Sequence, residues 1–448
     1  MRTKHSEPQS KVLSFAKTNE LIQRRKNSVA NGVSVFVRTS AVEGHEATLI
    51  DVDGNELIDF ASGIGVLNAG QCPPPVVKAI QDQAAKLIHT CFNVSTYDLY
   101  IDLCEKLAQL IPHGECTKVM LTNTGAESVE NAIKIARQAT KRSAVLCFTE
   151  AFHGRSMMAM TLTSKIDYKL DCGPFAPEVY RLPFPNHYHY GIGMTEDDFA
   201  DLQLQRLHDA AHNLVNPNNL AAVIIELVQG EGGFNIAPKR YIEGLRDFCD
   251  EYGIMLIFDE VQTGFCRTGK WSASEHYGVT PDISTWAKSL ASGLPLGAVI
   301  GKQEVMDAAA VGTIGGTFPG NPVCCAAALA TLDYMEQLDL NARAAKLGRI
   351  VHDRFLKLKE TCKSIGDVRT LGAMHAIEFV ENNDPDSPDP LITAQLIKAC
   401  LNRGLILLTA GTNKNVVRIL APLVISEELL DKGLTIIEEE LINITNSN

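Results

Sequence analysis

One lysine, Lys288, stands alone in ISTWAKSLASGLPLGAVIG, a run of small and apolar residues from 283 to 301. Beside Ala287, Leu290 and Ala291 its ammonium loses hydration, which lowers a lysine pKa. A neutral amine attacks carbonyl carbons and carries protons. The residue also reads as a buried lysine paired with an acid such as Asp259. That aspartate closes the apolar run IMLIFDE. There a carboxylate can keep a proton on a cationic ring nitrogen, or simply end a strand at a sheet edge. Gln262, three residues on, can donate to a phenolate oxygen.

Two further stretches carry chemistry. In KVMLTNTGAESVENAIKIAR a strand ends at Asn123, Gly125 turns the backbone and a helix follows. The exposed N–H groups of this turn, with the helix dipole, suit a phosphate. Thr124 and Glu127 also form a T-x-x-E capping box, which needs no ligand. In EAFHGRS, Phe152 offers a flat face and Arg155 a fork for a carboxylate. The alternatives are a core phenylalanine and a surface ion pair. Taken together, the stretches supply a phosphate seat, a stacking face, partners for a ring nitrogen and a phenolate, and an imine-forming lysine. Those are the requirements of pyridoxal 5'-phosphate.

The elements that must position these residues alternate. KVMLTN, SAVLCFT, AAVIIELV and IMLIFDE are short apolar runs, separated by the amphipathic stretches ESVENAIKIARQAT and YIEGLRDFCDEYG. That pattern predicts a parallel sheet covered on both faces, with ligands at the carboxyl ends of its strands. Residues 1–30 read as a polar arm or helix. ATLIDVDGNELIDF reads as two strands around an Asp-Gly turn, and PPVVKAIQDQAAKLI as a helix opened by proline. The tail holds helices near 323–360 and at 391–403. It also holds the strand runs IGDVRTLGAMHAIEF, LILLTA and VVRILAP, and ends in a last helix. It reads as a smaller α+β lobe that the start of the chain joins. The expected division is 1–65 as the joining segment, 66–324 as the large ligand-binding domain and 325–448 as the small domain.

The 448-residue chain is 45% hydrophobic and carries a formal charge of −12. Such a balance argues against nucleic acid and anionic membrane as partners. No apolar run is long enough for a membrane span or a signal peptide. The twelve cysteines include no C-x-x-C pair and no zinc spacing, so free thiols in a reducing cytoplasm and no metal are expected.

FASGIGVLNAG, TNTGAESVENAIKIAR, FHGR, ELVQGEGGFNIAP, IMLIFDEVQTGFCRTG, WAKSLASGLPLGAVIG, GGTFPGNP and NVVRILAPL span nearly the whole chain. In these stretches the sequence resembles the class III, fold type I pyridoxal-phosphate aminotransferases. FHGRSMMAMTLTSK with GPFAPEVYR, and VVRILAPL, are similar to the bacterial 4-aminobutyrate branch. The resemblance implies a large domain with a mixed, mostly parallel seven-stranded sheet between helices, plus a small α+β domain. It implies that Lys288 and Asp259 are catalytic, with Lys288 forming the Schiff base and moving the 1,3-proton. Gly125, Ala126, Phe152, His153, Asp259, Gln262 and Lys288 would bind cofactor. Thr317 would reach the phosphate of a neighbouring subunit, in a homodimer or dimer of dimers.

For substrate, the resemblance assigns Ile64, Arg155, Glu226, Glu231 and Arg418. Arg155 would hold the distal carboxylate, Arg418 the α-carboxylate of glutamate, and Glu231 would neutralise Arg418 when 4-aminobutyrate binds. Ile64 would close over the short substrate. The implied reaction converts 4-aminobutyrate and 2-oxoglutarate to succinate semialdehyde and glutamate. Alternatives are an aminotransferase for 5-aminovalerate, ornithine or acetylornithine, or a racemase or aminomutase on the same fold. Two departures stand out: Gly70-Gln71-Cys72-Pro73-Pro74 replaces the family's G-H-x-H-P, and Leu227 stands where proline is common after Glu226.

Overall fold

A computed structural model describes residues 13–447; the first twelve residues of the expected N-terminal arm lie outside that range. Among the described residues, seventeen strands and the helices between them are arranged around one central sheet. In chain order the strands are β1 Glu43–His45, β2 Thr48–Ile50, β3 Glu56–Asp59, β4 Thr117–Thr122, β5 Ala144–Phe148 and β6 Val179–Leu182. They continue as β7 Leu220–Ile225, β8 Val228–Gln229, β9 Asn235–Ile236, β10 Met255–Asp259, β11 Ile283–Trp286 and β12 Gly297–Lys302. The last five are β13 Ile365–Leu371, β14 Met374–Phe379, β15 Leu405–Ile406, β16 Leu408–Ala410 and β17 Val416–Ile419.

The seven-stranded sheet runs β4-β12-β11-β10-β7-β5-β6. β11, β10, β7, β5 and β6 are mutually parallel, while β12 lies antiparallel to both β11 and β4. This is the mixed, mostly parallel sheet expected. Its strands read as unbroken apolar runs because helices cover both faces; every residue of β5 and β7 is buried. The helix Gly125–Thr140 packs Val129, Ala132, Ile133 and Ala136 on one face, and Lys239–Tyr252 packs Tyr241, Leu245 and Phe248 on the other.

The two ends of the chain meet in a second sheet, β1-β2-β3-β15, where Leu405 pairs in parallel with Ile58. A third sheet, β13-β14-β17-β16, is built by the tail alone. LILLTA, which reads as one strand, is two: β15 joins the second sheet, and after Leu407 β16 joins the third. AAVIIELV likewise breaks at Glu226, where an ionisable side chain turns away from the sheet line. The helix Pro322–Gln337 runs through position 324, so a division there falls inside an element. No helix among the described residues is long and apolar enough to cross a membrane, and all twelve cysteines are free.

Arg267 ties the lobes together. It is fully buried, donates through Nε to Asn68 Oδ1 at 3.0 Å, and through Nη1 to the carbonyls of Ala421 (2.8 Å) and Ala373 (3.3 Å). No carboxylate is among these partners, and burial pushes the guanidinium down to about 9. Arg267→Met leaves Asn68 and two carbonyls without donors, so a loss of about 3 kcal/mol in denaturant unfolding is expected. A change under about 0.5 kcal/mol, as for an ordinary surface substitution, contradicts the role.

Candidate active site

A cavity of about 420 Å³ opens at the carboxyl ends of the parallel strands. It is lined by residues 123–126, 152–156, 230–231, 259, 261–262, 287–288 and 294–296, with Val66 and Glu226. Most of these segments follow a strand of the central sheet, while Val66 comes from the segment after β3 of the second sheet and residues 230–231 from the β8–β9 turn.

Strand β4 ends and the helix Gly125–Thr140 begins with Thr124 as its cap. Thr124 Oγ1 accepts from the Glu127 N–H at 3.1 Å, while Glu127 Oε2 accepts from the Asn123 N–H at 2.8 Å. The Thr124 cap is therefore present, with Glu127 reaching back one residue further, to Asn123, than a capping box requires, and neither bond competes with an anion seat. Together they use the N–H groups of Asn123 and Glu127 and leave those of Gly125 and Ala126 at the cavity wall. Only glycine fits at 125, since a Cβ there would lie 2.8 Å from Val261 Cγ1.

Asp259 ends β10 and is buried. Its Oδ2 meets His153 Nδ1 at 2.6 Å; its Oδ1 accepts from the Val261 N–H and the Thr285 hydroxyl, both at 3.1 Å. Those partners orient a carboxylate with lone pairs still available. They do not include Lys288, so the lysine is not simply one half of an ion pair with Asp259. His153 lies behind the aspartate, its Nε2 buried and without a partner.

Lys288 follows β11 after Ala287 and takes a positive φ of 43°. The rare conformation carries its side chain into the cavity. Burial pushes the ammonium down to about 8, against the pull of the Glu231 and Asp259 charges. Gln262 lines the same wall with its Oε1 buried and unpartnered. A Cβ at position 230 would sit 2.5 Å from that oxygen, so a larger residue there would displace the Gln262 amide.

Phe152 is a wall of the cavity, with its ring 4.9 Å from that of Tyr168 in an edge-on arrangement. Arg155 is exposed at the mouth, its guanidinium 6.0 Å from the Tyr168 ring centroid. On the opposite side the third sheet contributes Arg418 from β17. It is buried, and Nη1 meets Glu231 Oε1 at 2.5 Å while Nε has no partner. Burial pushes the Glu231 carboxyl up, but Arg418 beside it more than offsets that and holds it below the ordinary range.

Two assigned residues, Glu226 and Ile64, sit differently from the roles the resemblance implies, and Thr317 lies apart from this chain's own cavity. Glu226 spends its carboxylate on backbone, accepting from the N–H groups of Phe152 (2.9 Å) and Gly230 (3.0 Å). It braces two loops at the cavity wall, with both oxygens engaged by backbone. Ile64 is not in the cavity wall; it packs with Leu57, Ala61, Ile406 and Leu408, and Val66 takes the wall position. Ser62, Gly63, Ile64 and Gly65 form a left-handed turn, with φ of 52°, 61°, 68° and 73°. A β-branched residue is strained there, and the strain aims the chain from β3 toward the cavity. Thr317 lies on an exposed loop outside this chain's cavity. Gln71 pairs its backbone with Glu46, and Cys72 takes a φ of 48°, so the altered G-Q-C-P-P turn closes on the second sheet rather than on the site.

Val66, Val261 and Tyr168 belong to the site region and carry no signal in composition or spacing. Val66 and Val261 sit next to residues that do, so the strand-end rule reaches them; Tyr168 it does not reach.

Comparison with known proteins gives the chain its relatives. The sequence pattern of the family described as aminotransferase class-III matches residues 28–441. A probable 4-aminobutyrate aminotransferase of Bacillus subtilis is 49% identical over 420 residues, covering 94% of this chain and 96% of that protein. A 5-aminovalerate aminotransferase of Pseudomonas putida is 46% identical over 431 residues, covering 95% and 99%. Among solved structures, a taurine:2-oxoglutarate aminotransferase of Bifidobacterium kashiwanohense in complex with PLP and glutamate matches with a TM-score of 0.88 at 27% identity. That match covers 95% of this chain and 98% of the other.

Glu226 makes the site region pH-sensitive. Burial raises its carboxyl from 4.5 to about 7, with the neighbouring Asp259 charge raising it further and His153 opposing. The folded state keeps a proton that the unfolded chain releases, so this group's stabilising effect is full below pH 4.5 and is lost as pH rises toward 7. Glu226→Gln removes the titration. The melting temperature of the native protein is expected to fall relative to that of the variant across this window. Parallel melting profiles would rule the assignment out.

Proposed function

The chain belongs to the class III aminotransferases, and from that premise we propose that it moves the amino group of 4-aminobutyrate to 2-oxoglutarate on pyridoxal 5'-phosphate. The observation that carries the substrate is the Arg418–Glu231 pair at 2.5 Å, opposite a free guanidinium at Arg155. An ω-amino acid brings one carboxylate and no charge near the reacting carbon. Glutamate and 2-oxoglutarate bring two carboxylates. A buried guanidinium needs a partner in either case. Glu231 supplies it for 4-aminobutyrate and must yield it to the α-carboxylate of the second substrate.

The residues present fit the cofactor. Gly125 and Ala126 would offer N–H groups to its phosphate, Phe152 a face to its ring, Asp259 a carboxylate to its ring nitrogen, and Gln262, at the cavity wall, its side-chain amide N–H to the ring oxygen. When bound, pyridoxal 5'-phosphate supplies an electrophilic carbon for amines and a protonated ring that draws electrons from the adjacent carbon. Lys288 Nζ, with its ammonium depressed to about 8, takes a proton from the substrate carbon that bears nitrogen and returns one nearby. Arg155 fixes the distal carboxylate so that this carbon lies within reach, and Ala287, Leu294 and Leu296 help exclude water.

The relative acting on 5-aminovalerate supports a second reading with one more methylene, which a pocket distinguishes by about 1–3 kcal/mol. A racemase or aminomutase reading has no use for two carboxylate-binding guanidiniums. Thr317 precedes the exposed Phe318, whose segment meets that of the exposed Ile88 through Asn321 and His89, and this exposed apolar surface supports a homodimer in which Thr317 serves the partner's phosphate. A reducing cytoplasm accords with the twelve free thiols.

Protein loaded with the cofactor is expected to lose its bound-cofactor absorbance on addition of 4-aminobutyrate and to regain it with 2-oxoglutarate, releasing glutamate. A response to ornithine or N-acetylornithine with none to 4-aminobutyrate or 5-aminovalerate would falsify the substrate. Lys288→Ala is expected to abolish turnover, and retained turnover overturns the chemistry. Size-exclusion chromatography is expected to give at least twice the mass of one chain; a monomer removes the role of Thr317.

A further inference from the structure

The Glu231 carboxylate has two side-chain partners. Oε1 meets Arg418, and Oε2 accepts from the Tyr168 hydroxyl at 2.9 Å. Tyr168 closes a short 3-10 turn, Ile166–Tyr168, outside the central sheet. Its ring stands between the two guanidiniums: its face lies 6.0 Å from Arg155, its edge meets Phe152, and its hydroxyl reaches the acid that neutralises Arg418. Lys165 Nζ lies 5.7 Å from the same ring and donates to the Gly411 carbonyl at 3.2 Å. The Gly411 N–H in turn donates to the Glu231 carbonyl at 3.0 Å. Asp167 pairs with Lys414 at 2.9 Å, so the turn is fastened to the same small-domain loop. The backbone of Glu231 and the turn bearing Tyr168 are therefore held to one loop, whatever the Glu231 side chain does.

We propose that Tyr168 is the fixed post of the Glu231–Arg418 exchange, a positioning residue that keeps hold of Oε2 when Oε1 leaves Arg418. This rests on the reading of Glu231 as a partner that yields to a substrate α-carboxylate. While Arg418 and Glu231 are paired, the carboxylate has two donors and tolerates the loss of one. Once Arg418 turns to a dicarboxylate, the Tyr168 hydroxyl is the remaining side-chain donor seen on Glu231, with Lys165 the nearby ammonium. A mostly buried carboxylate with no donor is costly, and hydrogen bonds to charged acceptors are the strong ones. The hydroxyl therefore favours the state that binds 2-oxoglutarate and glutamate over the state that binds an ω-amino acid.

Tyr168→Phe keeps the ring and removes only the donor. Calorimetry on the cofactor-loaded enzyme, with glutarate as a non-reacting dicarboxylate and butyrate as a monocarboxylate, reads the two states directly. Glutarate is expected to bind about tenfold more weakly in the variant, with the butyrate affinity changed less than twofold. The KM for 2-oxoglutarate is expected to rise in the same proportion while the 4-aminobutyrate half-reaction keeps its KM. Equal weakening of both ligands means a structural role and overturns the proposal, as does no change in either. Glu231→Gln, run in parallel, separates the two layers. If it weakens butyrate and leaves glutarate intact while Tyr168→Phe changes nothing, the exchange stands and the post falls. If Glu231→Gln leaves both ligands unaffected, the exchange itself falls, and Tyr168 with it.

Discussion

Charge balance around one cavity governs this structure. An amine, the Arg155 guanidinium and three carboxyl groups line about 420 Å³, and the buried Arg418 guanidinium stands behind Glu231, where an unpaired charge is far more costly than in water. Each carboxylate is committed in advance. Asp259 is oriented by His153, Val261 and Thr285; Glu226 is spent on two backbone N–H groups; Glu231 is shared by Arg418 and Tyr168. None of the three neutralises Lys288 by direct contact, so desolvation governs its amine. The free amine that the chemistry needs follows from where the acids are already engaged.

The fold supplies those commitments from distant parts of the chain. The parallel strands deliver Asp259, the turn at Gly125 and the loops at 150–156 and 226–233 to one edge of the central sheet. Arg418 comes from another sheet, and its approach depends on how the two lobes sit together. Arg267 is one clamp on that arrangement. Arg369 is another, since it donates to the Gly233 carbonyl at 2.8 Å while pairing with Glu378 at 2.6 Å. The loop carrying Glu231 is thus gripped from the side away from the cavity, by Arg369 and by Gly411. Its side chain is not part of that grip and faces Arg418 and Tyr168.

Much of this was legible before any coordinates. The apolar runs and the amphipathic stretches between them announce the covered sheet, and the strand-end rule points to Asn123, Phe152 and Asp259 as neighbours. The T-x-x-E pattern announces the cap that leaves Gly125 and Ala126 open. The misread stretches share a cause. LILLTA and AAVIIELV are each one apolar run locally, and their breaks at Leu407 and Glu226 are set by which sheet or backbone group takes the next residue. Ile64 looked like an apolar lid. The left-handed turn through Ser62–Gly65 instead carries it onto Ile406 and Leu408 and brings Val66 to the wall.

Residue type and period determined the element order and placed Lys288, Asp259 and Arg155 near strand ends, because such patterns act within a few residues of chain; the family came from the resemblance of the quoted motifs. Tertiary structure alone decided the pairings. Glu231 and Arg418 are 187 positions apart, Tyr168 and Glu231 63, and His153 and Asp259 106. Nothing local selects these partners over others of the same charge. They meet because strand order and lobe packing set the few ångströms over which a hydrogen bond exists, and hydrogen bonds lose their strength beyond that range.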